Sequence, residues 1–130
     1  MKIAVDAKDA PSPQGSYSNA ILATSGGILA IAGQVGNDAH LKMPLGRDIR
    51  GQARQAFLNV RAIAEAAGGS LADIVSVTVH LTDIADLGAV NEVRAEMFTE
   101  PLPASTAVQV TALAHPSLRV EITALAVIER

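Results

Sequence analysis

The chain of 130 residues contains no cysteine and no tryptophan, one tyrosine and two phenylalanines. The missing cysteine excludes disulfides, thiolate catalysis and cysteine-ligated zinc, and it fits a reducing, cytoplasmic setting. Nucleic-acid binding asks for a basic face and for aromatic rings on which bases stack. A chain with net charge −3 and 2% aromatics supplies neither. Charge of both signs is scarce, at 18% of residues against 49% hydrophobic. A small monomer exposes much of its surface and needs polar cover for it. The lean composition therefore points to apolar surface hidden between subunits, the alternative being an alanine-rich but ordinary surface. No apolar run reaches the length of a membrane span. The longest nearly uncharged stretch, residues 21–36, is broken by glycines, and the opening MKIAVDAKDAPSP lacks the apolar centre of a signal peptide.

What is present reads as one domain, 1–130, without repeats or linkers. A strand fragment and a loop punctuated by Pro11, Pro13 and Gly15 come first. Two short apolar runs, 18–24 and 28–33, are separated by SGG, which predicts a hairpin. From 48 to 67 the apolar spacing is helical, with Ala53, Ala56, Phe57, Val60, Ile63, Ala64 and Ala67 on one stripe and Gly68-Gly69 as the stop. Residues 75–82 alternate strictly between aliphatic and polar, a half-buried strand. A second helix is predicted over about 84–98, capped by Asp83 or Asp86, with Leu87, Val90, Val93, Met97 and Phe98 inward. Strands at 105–110 and 118–128 complete the order ββαβαββ. Two helices cover only one face of such a sheet, so its other face calls for burial by further copies of the chain.

Few residues offer chemistry. No nucleotide-binding glycine motif, hydrolase elbow or metal-ligand spacing occurs, and His40, His80 and His115 read as turn or interface residues. Glu121 stands out. It lies in the body of the apolar strand RVEITALAV, on the face of Thr123, Leu125 and Val127, opposite Val120, Ile122, Ala124 and Ala126. A carboxylate there is costly to bury unless paired or protonated, and it suits general acid/base work or the orienting of a water. An interface glutamate paired with a neighbour's arginine is the competing reading. Tyr17, in the loop PSPQGSY, lines a pocket or anchors its loop.

Together, several segments resemble the Rid family (reactive intermediate/imine deaminases, also called YjgF or L-PSP). They are APSPQGSYSNA, IAGQVG, QARQAFLNVRAIAEAAGGSLADIVSVTVHLTDIADLGAVNEVRAEMF, PLPASTAVQV and VEITALAV, in order and over nearly the whole chain. The resemblance implies an α+β, chorismate-mutase-like fold, a single sheet with two helices on one face. It also implies a homotrimer with clefts between subunits. The implied substrates are enamines and imines derived from amino acids, hydrolysed without metal or cofactor. Under the resemblance Tyr17 and Glu121 are catalytic, and Ser105, Thr106, Ala107, Gly33 and Asn91 line the substrate site.

The same resemblance marks a departure. Where the deaminases carry an arginine that clamps the substrate carboxylate, this chain has Ser105, with Ala107 for a cysteine and Gln109 for a glutamate. A neutral hydroxyl bond is worth about 0.5–1.5 kcal/mol net against about 1.5–3 for one to a charged group. Ordinary imino-acid deamination is therefore not expected. The expectation is a Rid-type trimer acting on small enamine, imine or related carbonyl compounds. The alternatives are a non-catalytic metabolite-binding trimer and, more weakly, a ribonuclease-like protein.

Overall fold

The computed structural model describes residues 1–37 and 48–129. Six strands and two helices occur in the order β1 (Lys2–Val5), β2 (Ala20–Ala23), β3 (Gly27–Gln34), α1 (Ile49–Ala66), β4 (Ile74–Leu81), α2 (Leu87–Met97), β5 (Ala104–Gln109) and β6 (Val120–Ile128). The main sheet is mixed, with order β3-β6-β4-β5. The β4–β5 pair is parallel, joined by the α2 crossover, and β6 pairs antiparallel with both β3 and β4. Both helices pack on one face, as their number and placement imply.

Local chemistry accounts for the helix limits. Asp48 caps α1, its carboxylate accepting from the Gly51 N–H at 2.8 Å. Gly68 takes φ +89° just past the end of α1, a conformation that only glycine reaches cheaply. The second helix begins later than the periodicity predicts, because residues 84–86 form a 3-10 turn. Asp83 caps that turn, accepting from the Ala85 N–H at 2.9 Å. Asp86 makes no cap bond and instead takes a bidentate ion pair from Arg119, with Nη2 to Oδ1 at 2.8 Å. Phe57, Val60, Ile74, Leu81 and Ile122 are fully buried between α1, α2 and the sheet. Each such side chain contributes roughly 1.5–3 kcal/mol relative to exposure. Phe57 meets Phe98 edge to face at 5.6 Å.

Two expectations need correction. Residues 18–24 and 28–33 do not form a hairpin: β2 pairs with β1 in a separate two-stranded ribbon, while β3 pairs with β6. The order is thus βββαβαββ, with the opening fragment a true strand outside the main sheet. The SGG signal does mark a turn. Gly26 sits at φ +120° against the end of β6, where a Cβ would lie 2.7 Å from the Ile128 carbonyl oxygen. That close approach steers the chain alongside β6, where Ile31 reaches the core under α1, which a hairpin with β2 does not offer.

The face of the main sheet away from the helices carries Ile28 (76% exposed), Val108 and Leu125. No helix of the described residues is long and apolar enough to cross a membrane.

Candidate functional site

Alternation along β6 buries Val120, Ile122, Ala124 and Ala126 against the helices, leaving Glu121 on the opposite face as expected. Opposite it across β4 stands His80, whose Nδ1 lies 3.2 Å from the Glu121 carbonyl oxygen. On its other flank is a bulge. The β3–β6 register shifts between Ile31 and Gln34, and Gly33 lies within the shift. A Cβ on Gly33 would overlap the Glu121 carboxylate, with the carboxylate carbon 2.6 Å away. The bulge and the missing side chain together let the carboxylate lie directly on the β3 backbone. Two of the expected site residues, Gly33 and Glu121, are therefore neighbours in space.

Ser105 has a partner that sequence reasoning missed. Arg94 Nη1 donates to Ser105 Oγ at 2.5 Å, from the last turns of α2 to the edge strand β5. Arg94 is only 4% exposed. Its Nε is buried with no hydrogen-bond partner, and burial pushes its pKa below the usual arginine value. Arg50, Arg54, Arg61 and Arg119 each face a carboxylate, whereas Arg94 faces none among the described residues. A buried ion without a counter-ion costs several kcal/mol even after relaxation. Asn91, another expected site residue, lies one turn before Arg94 on the same flank of α2, and its side chain makes no hydrogen bond among the described residues. The signal was available. Arg94 follows Val90 by four residues, so it falls on the apolar stripe, where a cation needs a reason.

The Tyr17 loop docks on the start of β5. Ser18 forms a parallel bridge with Ala104, and its N–H donates to the Pro103 carbonyl at 2.9 Å. The Tyr17 hydroxyl accepts from the Gln14 N–H at 3.1 Å, which anchors the loop on itself. The tyrosine also lines a cleft of about 320 Å³ with Asp6, Gly15, Glu100 and Pro101. Both readings of Tyr17 thus hold at once.

The single chain does not gather all of these residues. The register places Ser105 beside Val77 and Ala107 beside Val79, on the helix face. Thr106 and Glu121 lie on the other face, in line with Thr78 and His80. Ser105 and Glu121 therefore point to opposite sides of the same sheet. His115 bonds the Ser117 hydroxyl at 2.7 Å in a turn, and His40 falls outside the described residues. Among the described residues no group of three or more His, Cys, Asp or Glu side chains is placed to hold a metal ion.

Comparison with known proteins agrees with this architecture. The profile of the family described as Endoribonuclease L-PSP matches residues 7–128. A RutC family protein of Pyrococcus horikoshii is 45% identical over 126 residues, covering 97% of this chain and 98% of that one. The 2-iminobutanoate/2-iminopropanoate deaminase of Dermatophagoides farinae is 37% identical over 120 residues, covering 92% and 91%. Among solved structures, a Rid-family protein of unknown function from Yersinia pestis superposes with a TM-score of 0.87 at 29% identity, with 98% of each chain covered. RidA from an Antarctic Psychrobacter gives 0.72 at 40% identity, covering 97% of this chain and 99% of that one. Sequence, topology and near end-to-end coverage coincide, and the chain belongs to the Rid family, also called YjgF or L-PSP.

Proposed function

We propose that the protein is a cofactor-free hydrolase of small enamine, imine or related carbonyl compounds, working in clefts between the subunits of a homotrimer. The observation that carries this reading is the Glu121 carboxylate laid on the β3 bulge at Gly33. A carboxylate fixed there can accept a proton from a water and direct its oxygen onto the imine carbon. Without an arginine at position 105 a 2-imino acid is expected to turn over slowly; for 2-iminopropanoate, water adds across C=N, the C–N bond breaks, and pyruvate and ammonia leave. Tyr17 and Asn91 contribute polar contacts to the substrate, and Thr106 and Ala107 line the cleft. The opposed faces of Ser105 and Glu121 within one chain support a site completed by a second copy. The deaminase names of relatives at 37% identity support the reaction class.

The test is pyruvate release from freshly generated 2-aminoacrylate. The wild type should exceed the spontaneous rate, and Glu121→Gln should fall by about 10²-fold or more with the fold and the trimer mass unchanged. A non-catalytic trimer that binds small metabolites is the second reading, favoured by Ser105 standing where the resemblance expects an arginine. Pyruvate release no faster than the blank, with ligand binding retained, selects it. RNA cleavage is the weakest reading, given the net charge of −3.

A further inference from the structure

Among the described residues, Arg94 Nε is the buried side-chain nitrogen left without a hydrogen-bond partner. A guanidinium offers five N–H donors in a planar fork. Among the described residues Arg94 uses a single one, on Nη1, and its acceptor is the neutral Ser105 hydroxyl. Nε is sealed away unpaired, and among the described residues no carboxylate pairs with it. The other described arginines show what the chain does when an arginine is only structural: each meets an Asp or Glu. Ser105 is half-buried on the edge strand, and its hydroxyl hydrogen has no acceptor among the described residues. The hydroxyl thus accepts from Arg94 on one side and is free to donate on the other. Asn91, one turn back on α2, leaves a further amide unused.

We propose that Arg94 and Ser105 together form an anion site at the β5 edge, in which the carboxylate of a small 2-oxo or 2-imino acid accepts from the Ser105 hydroxyl and from the open guanidinium. The positive charge then comes from the helix instead of from β5 itself. This changes the meaning of Ser105. A serine at that position leaves room for a guanidinium arriving from behind, and the hydroxyl holds it in place. The choice of a 2-oxo or 2-imino acid rests on the hydrolase reading above, whereas the binding of a carboxylate does not.

The test measures binding alone, so that it stands apart from turnover. Pyruvate and its uncharged methyl ester are titrated calorimetrically into wild type, Arg94→Met and Arg94→Lys. Wild type is expected to bind pyruvate at least tenfold more tightly than the ester. Arg94→Met should lose at least tenfold in pyruvate affinity while keeping or raising its unliganded melting temperature, since an unpaired buried charge has been removed. Arg94→Lys, which keeps the charge without the fork, should fall between. Equal pyruvate affinity in wild type and either variant overturns the proposal, as does equal affinity of wild type for acid and ester. An Arg94→Met that fails to fold, with Arg94→Lys binding like wild type, also overturns it and assigns Arg94 a structural role. A wild type that binds pyruvate as expected but releases none from 2-aminoacrylate would count against the hydrolase reading only.

Discussion

The Glu121 carboxylate occupies the space that a Cβ on Gly33 would need. The glycine is therefore fixed by its neighbour and not by its own torsions. Gly33→Ala should push the carboxylate off the bulge, and misplacement by about 1 Å at a reacting group costs on the order of 10²-fold in rate. Overpacking should also lower stability by about 1–3 kcal/mol. Pyruvate release and urea denaturation read the two effects, and an alanine variant with full activity would show that the carboxylate can work elsewhere.

Restoring an arginine at position 105 is the obvious way to rebuild the site that the resemblance expects. The Arg94–Ser105 contact argues that Ser105→Arg by itself sets two guanidinium groups against each other. The single variant should lose stability, and adding Arg94→Met should restore part of it, with a coupling of about 0.5–3 kcal/mol. Urea denaturation of the wild type, both single variants and the double variant measures this. Strictly additive effects would mean that the two positions do not meet.

Gln52 is buried at 1% exposure and ties α1 to the turn before β6. Its Nε2 donates to the Ser117 carbonyl at 2.9 Å and its Oε1 accepts from the Arg119 N–H at 2.8 Å. Gln52→Leu keeps most of the volume but strands both backbone groups. Chemical denaturation should show a loss of about 1–3 kcal/mol, and a loss below about half a kcal/mol would place those groups in contact with water.

Lys2 donates to the Ile74 carbonyl at 2.8 Å, and desolvation, only partly offset by Asp73, lowers its pKa from 10.5. Between the depressed native value and 10.5 the unfolded chain binds more protons than the native one, so stability rises with pH across that window. Below the native value the charged amine is a constant cost. The stability difference between wild type and Lys2→Met should therefore move in favour of the wild type as pH rises toward 10.5. A difference that stays flat over that range would contradict the assignment.

Strands β4 and β6 were legible because one face of each is nearly pure aliphatic, and α1 because Asp48 and Gly68 bound a single apolar stripe. Partners were less legible. A turn signal such as SGG states that the chain reverses but not which strand it joins, and here the choice was made by the end of β6. The Gly33 bulge leaves no mark in the residue pattern, so the closeness of Gly33 and Glu121 entered only through the family resemblance. Arg94 was overlooked for a similar reason. Its acceptor lies eleven residues on, across a crossover, and only the parallel pairing of β5 with β4 brings the two together.

The β1–β2 ribbon holds to the main sheet by slender means: the Ser18–Ala104 bridge, the Lys2–Ile74 bond and the ion pair of the Met1 ammonium with Glu129, with Ile3, Val5 and Leu22 exposed. Elements with few buried apolar contacts open at a lower free energy than the core they rest on. In the single chain the amides of residues 2–5 and 20–23 should thus exchange with solvent well before those of β4 and β6. Tyr17 hangs from that ribbon, so in the proposed trimer a neighbouring subunit would decide how firmly the phenol is held. Assembly would then set how often the tyrosine is in position, quite apart from what the carboxylate on β6 does.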